Sequence, residues 1–167
     1  GLANTRRQRK TVFASALSCL LLVGFSLLLF PHAIQDWRAD YATAKGELEQ
    51  IHLEGGALLF IDTDSALDVE NSPEGLAIHL HRGRILVDSS AAAPADKPHV
   101  ITADTRFTPT GTRFVVTKRA ALDELVVTQG QVRVETAGQS QLVNAGDGIQ
   151  VAARAIQPLA STGMAAD

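Results

Sequence analysis

Three groups of residues have types and spacing that raise a chemical question. His79 and His81 stand two apart on one face of the alternating run "LAIHLH", as a pair of metal ligands would. No cysteine or paired carboxylate stands near them to complete a site, and the polar face of a strand accounts for both. Asp62, Asp64 and Asp68 resemble a calcium loop, but the glycine and terminal glutamate that shape such loops are missing. They read as solvated turn residues. The third group is Gly111-Thr112, set just ahead of Arg113 and the apolar run Phe114-Val115-Val116. Glycine costs a strand packing and ordering entropy, so this dipeptide is either a turn or a bond used for something. No G-x-S-x-G, H-E-x-x-H or phosphate loop is present, which points away from a conventional enzyme and from a bound cofactor or metal.

Any such chemistry must be positioned by the rest of the 167 residues, room for one membrane segment and one modest domain. Thr11 to Phe30 carries no charge over twenty residues, and at helical rise that spans about 30 Å, the thickness of a hydrocarbon core. It reads as a single transmembrane helix. Residues 1–10 contain Arg6, Arg7, Arg9 and Lys10 and no acid, so the positive-inside bias puts this basic juxtamembrane end in the cytoplasm and everything after Phe30 outside. A cleaved signal peptide shares these features. However, the apolar run exceeds the usual h-region of about 7–15 residues, and Pro31-His32-Ala33 offers no small-x-small site. Trp37 and Tyr41 are expected near the interface as aromatic anchors.

Residues 31–167 hold eighteen acidic side chains against eleven basic ones, a formal net charge of −7 that disfavours nucleic acid as a partner. The one cysteine, Cys19, lies in the apolar run, so the exterior part holds no disulfide. Its pattern has period two: Leu76, Ile78 and Leu80 alternate with Ala77, His79 and His81, and "RFVV", "ELVV" and "QVRVE" behave likewise. Turn marks at Gly46, Gly55-Gly56, Asn71-Ser72-Pro73, Gly83, Gly111, Gly130, Gly138 and Gly146 separate these runs. The expected fold is all-β: a small, twisted domain of about ten short strands over residues 46–151. A juxtamembrane linker at 31–45 precedes it and an alanine-rich linker at 152–167 follows. Leu125–Val127 and Val132–Val134 form the clearest candidate hairpin.

The order of motifs resembles the FecR family. The matching stretches are "DWRADYATAKGELEQIHLEGGALLFIDTDSALDV" (36–69), "LHRGRILVD" (80–88), "KPHVITAD" (97–104), "TGTRFVV" (110–116) and "VVTQGQVRVE...LVNAG" (126–146). Departures are small; Lys97-Pro98-His99, for example, stands where Arg-Pro-Phe is more usual. The resemblance implies a single-pass inner-membrane regulator, or anti-sigma factor, with an elongated, twisted periplasmic domain. Its expected partners are an extracytoplasmic-function sigma factor, bound by a cytoplasmic part before residue 1, and a TonB-dependent outer-membrane receptor of iron-siderophore signalling. Periplasmic and intramembrane proteases would act on it.

The resemblance also gives Gly111-Thr112 a meaning, because some FecR-like regulators divide themselves at this bond. A threonine hydroxyl can attack the carbonyl before it, an N-to-O acyl shift that turns an amide into a hydrolysable ester. Gly111 would supply an open scissile carbonyl and Thr112 the nucleophile. Asp104, Thr110 and Arg113 are near in sequence, but spacing alone assigns none of them as base or oxyanion donor. A bulge at Gly111 and an ordinary strand residue at Thr112 is the alternative. A bitopic structural or assembly subunit of the envelope, with no signalling role, is the alternative for the whole chain.

Overall fold

The structure, a computed structural model, describes residues 39–159. The basic end at 1–10, the apolar run Thr11–Phe30, residues 31–38 with Trp37, and the tail beyond Leu159 lie outside them. Among the described residues no helix is long and apolar enough to cross a membrane.

Alternating apolar residues broken by glycine turns give thirteen strands: β1 (Tyr41–Ala42), β2 (Glu49–His52), β3 (Leu58–Ile61), β4 (Ala66–Ser72), β5 (Gly75–Asp88), β6 (His99–Ile101), β7 (Thr105–Pro109), β8 (Arg113–Arg119), β9 (Leu122–Gln129), β10 (Gln131–Thr136), β11 (Gln139–Asn144), β12 (Gly148–Ala152) and β13 (Ala155–Pro158). They join in one sheet whose main path runs β11-β10-β7-β6-β5-β8-β9-β12-β13. All pairings are antiparallel except β5 with β6. The expected all-β class holds, with more strands than expected and one of them long.

That long strand, β5, is the spine. Its first part pairs with β4 and β6, and from Gly83 onward it pairs with β3 and β8. The inward residues of both halves fill one core, led by Phe107 and Phe114, the two largest fully buried side chains. Gly83 is where the strand changes partners, and it marks no turn. Its φ is +95°, and a Cβ there would lie 2.5 Å from the Ser65 Cα and 2.1 Å from its Oγ. The close approach lets the Ser65 hydroxyl accept from Arg84 N at 3.1 Å. A Gly83→Ala variant therefore meets both backbone strain and overlap, and we expect it to lose about 2–3 kcal/mol. A urea melt would read this as a lower midpoint at unchanged slope.

Other expectations shift. β9 and β10 are not a hairpin: β9 pairs with β8 and β12, and β10 with β7 and β11. The sheet also runs past the expected 46–151 bounds, since β1 pairs with β4 and β13 with β12. Tyr41 packs against the core. Asp68 sits within β4, where its carboxylate meets His81 Nε2 at 2.6 Å. His79 faces Glu70 at 3.5 Å, Asp62 pairs with Arg84 and Asp64 with Arg82. His79 and His81 thus face carboxylates of β4 across the β4–β5 pair, and Asp62 and Asp64, in the turn between β3 and β4, pair with arginines of β5.

Candidate functional site

β7 ends at Pro109, opposite Val132 of β10, and β8 starts at Arg113, opposite Asp88 of β5 and Gln129 of β9. Thr110, Gly111 and Thr112 therefore carry the chain around a corner, from one half of the sheet to the other. The corner is pinned at its entry, where Thr110 N and Oγ1 both donate to the Gln131 carbonyl, at 3.1 and 3.0 Å. Gly111 turns it with φ +85°, a conformation that side chains resist and glycine accepts. The chain makes a second corner between β9 and β10 at Gly130, and the two corners stack. A Cβ on Gly130 would lie 2.6 Å from Thr112 Cγ2 and 2.8 Å from the Gly111 carbonyl oxygen.

Thr112 is completely buried at the exit. Its N–H donates to Ser89 Oγ at 3.1 Å. Its carbonyl accepts from Ser89 N at 2.9 Å and from Ser89 Oγ at 3.1 Å. Its own hydroxyl has no hydrogen-bond partner. Leaving a buried hydroxyl unpaired costs about 1–3 kcal/mol, and in a native fold such an orphan calls for an explanation. The Gly111 carbonyl, the acceptor that an acyl shift would attack, belongs to the residue just before it. On the other side of Gly111, Lys97 Nζ lies 3.2 Å from where a Cβ would stand, so glycine also leaves room for an ammonium beside the bond.

The strand ends on either side are clamped. Asp88 accepts from Ser90 Oγ at 2.5 Å, from Ser90 N at 3.1 Å, and from Arg113 Nε and Nη2 at 3.0 and 2.6 Å. The Ser90 hydroxyl first, and the Arg113 guanidinium next, hold its carboxyl below the usual range despite burial. The clamp's contribution to stability is thus present above the unfolded aspartate value of about 3.9 and lost as pH falls through the lower folded one.

Of the residues near the bond in sequence, none turns its side chain to it. Arg113 is spent on Asp88, Thr110 on Gln131, and Asp104 faces Arg154 at 3.6 Å. The residues brought to the bond are Ser89, Lys97 and Gly130. Ser89 and Lys97 lie 23 and 14 positions back in the chain, and only Gly130 carried a signal, as a turn glycine.

The family model for FecR protein matches residues 39–133, from before β1 into β10, across both corners. The chain belongs to the FecR family. Two crystal structures of a candidate anti-sigma factor from Parabacteroides distasonis share the fold, each with a TM-score of 0.63 at 16% identity over 71% of this chain. The chain spans 58% of the length of that protein's structure. No curated protein matches it.

One departure from the usual FecR pattern has a measurable cost. His99, on β6 where phenylalanine is more usual, is buried and its Nε2 has no partner. Burial first, and the nearby Arg106 next, hold its pKa below the ordinary histidine value. The neutral form suits the fold, so this part of the stability is complete above about pH 6.5, the unfolded value, and is lost as pH falls from there through the folded one. We expect a His99→Phe variant to gain stability over the parent at pH 5 relative to pH 8. Denaturant midpoints at the two pH values check this, and parallel shifts would exclude it.

Proposed function

We propose that this FecR-family chain is a transmembrane regulator of an extracytoplasmic-function sigma factor, anchored in the inner membrane by Thr11–Phe30. It would relay a signal from a TonB-dependent outer-membrane receptor of iron-siderophore uptake through a domain cut at Gly111-Thr112. The observation that carries the reading is this glycine–threonine bond, set at a corner of the matched FecR region with the Thr112 hydroxyl buried and unpaired.

In the cut, Thr112 Oγ1 attacks the Gly111 carbonyl carbon, the C–N bond breaks, and the hydroxyl proton ends on Thr112 N. Water then hydrolyses the ester, leaving a Gly111 carboxylate and a Thr112 amine. Gly111 contributes a carbonyl with no side chain beside it, and the Lys97 ammonium approaches Gly111 from the side on which a Cβ would stand. The product is a domain in two chains. β1–β7 stay with the anchor, β8–β13 form the other part, and the seam between them is strand pairing and burial. Pulling the second part away would uncover the β5 and β7 edges, an opening for periplasmic and intramembrane proteases and hence for release or activation of the sigma factor.

Transcription from a promoter of the cognate sigma factor, compared between cells with and without the gene for this chain, tests the regulatory reading. A change in its response to the inducing siderophore is expected. An unchanged response, alongside a defect in envelope assembly, would favour a structural subunit instead.

A further inference from the structure

Resting on the cleavage reading, we propose that Ser89 is a catalytic residue of the cut, with its hydroxyl serving the nitrogen that leaves Gly111. Ser89 follows β5 directly and is fully buried. It makes three hydrogen bonds to one residue, Thr112: its N–H and Oγ to the carbonyl, and its Oγ from the amide N–H. Together these fix the Thr112 backbone from both sides. Because Ser89 binds only backbone, the Thr112 side-chain oxygen stays unpaired and available to attack.

The hydroxyl is also placed for the proton. An amide nitrogen leaves poorly as an anion, so it must be protonated as its bond to carbon breaks. The Ser89 Oγ is already 3.1 Å from that nitrogen. As the nitrogen becomes pyramidal it gains a lone pair, and the Ser89 O–H can turn from the Thr112 carbonyl to donate to it. Ser89 N still holds the carbonyl at 2.9 Å. The step balances: Thr112 Oγ1 gains the acyl carbon and gives up its proton, Thr112 N loses the acyl carbon and gains one. Ser89 Oγ gives its proton to Thr112 N, is restored by the proton that Thr112 Oγ1 loses on attack, and ends unchanged. No oxidant or cofactor enters. Ser89 thus serves the leaving amine on the Thr112 side of the bond, whereas Lys97 Nζ approaches Gly111 from the side on which a Cβ would stand.

The test follows cleavage of freshly made full chain by intact mass, for the parent, Thr112→Ala, Ser89→Ala and Ser89→Cys, with thermal melts of each. General acid–base groups typically contribute 10²–10⁴-fold, and we expect Ser89→Ala to cleave about 100-fold slower than the parent with its melt largely retained. Ser89→Cys, which keeps a group able to accept and donate, should be intermediate, and it decides the matter if the alanine variant fails to fold. Hydroxylamine separates the steps, because it attacks an ester and not an amide: it should leave the slow Ser89→Ala rate unrestored, as the defect lies before the ester. Parent-like rates in both Ser89 variants, or full rescue by hydroxylamine, would overturn the role of Ser89 while leaving cleavage intact. An uncut parent would overturn the cleavage reading and this role together.

Discussion

A chain cut at Gly111-Thr112 is expected to remain one folded particle in native buffer and to come apart in denaturant. The two products are bound along two seams. Six residue pairs join β5 to β8, from Gly83 opposite Lys118 to Asp88 opposite Arg113. Five join β7 to β10, from Pro109 opposite Val132 to Thr105 opposite Thr136. Side chains reinforce them: Asp88 to Arg113 at one end, and the Thr102 hydroxyl to the buried Asp123 carboxylate at the other. Asp123 is itself paired with Lys118 at 3.0 Å, so none of these buried charges faces the core alone. Most important is the shared core, with Phe107 from the first part and Phe114 from the second, each fully buried. Size exclusion should therefore show a single peak containing both fragments, and the same sample in urea should separate. Fragments that part in native buffer would show that the seams alone cannot hold the domain.

Phe114→Ala is expected to have the largest effect on stability of any single core truncation on β8. Phe114 sits opposite Val87 of β5 and Val127 of β9, so it packs across the seam as well as within its own half. Emptying such a site costs about 3–5 kcal/mol, a large share of the roughly 5–15 kcal/mol that holds a domain folded. In an uncut chain this appears as a lower denaturation midpoint. In a cut one, unfolding and dissociation are coupled and depend on concentration. The same loss then weakens association of the halves by roughly 10²- to 10⁴-fold, since each 1.4 kcal/mol is tenfold. Diluting the cut variant should release the second fragment where the cut parent stays whole. Equal behaviour on dilution would mean that the seams, and not the shared core, carry the joint.

These consequences show how far the sequence reaches. Alternation made the faces of β8 and β10 legible: Phe114 and Val116, Val132 and Val134 are buried as their period requires. It did not show their neighbours, because period two fixes faces and leaves pairing open. Gly130 thus read as a hairpin turn between β9 and β10 when it is a corner between partners. Gly83 read as a turn when β5 runs straight through it. β13 was hidden for a different reason. The turn before it places Ala153 and Arg154 at positive φ, +49° and +62°, where a glycine or asparagine would have announced it. At the site, Gly111-Thr112 was visible as a dipeptide and through its family motif. Ser89 was not, because a serine after a strand carries no pattern and reaches Thr112 only when β5 and β8 pair. Lys97 was hidden in the same way, placed by a loop between β5 and β6.

The most direct measurement is the intact mass of the purified full chain beside its Thr112→Ala variant. Two masses meeting between Gly111 and Thr112 in the parent, and one undivided chain in the variant, are predicted. A parent that stays whole after prolonged incubation would contradict the account, and would leave the Gly111 corner as a turn and the Thr112 hydroxyl as an unpaired buried group.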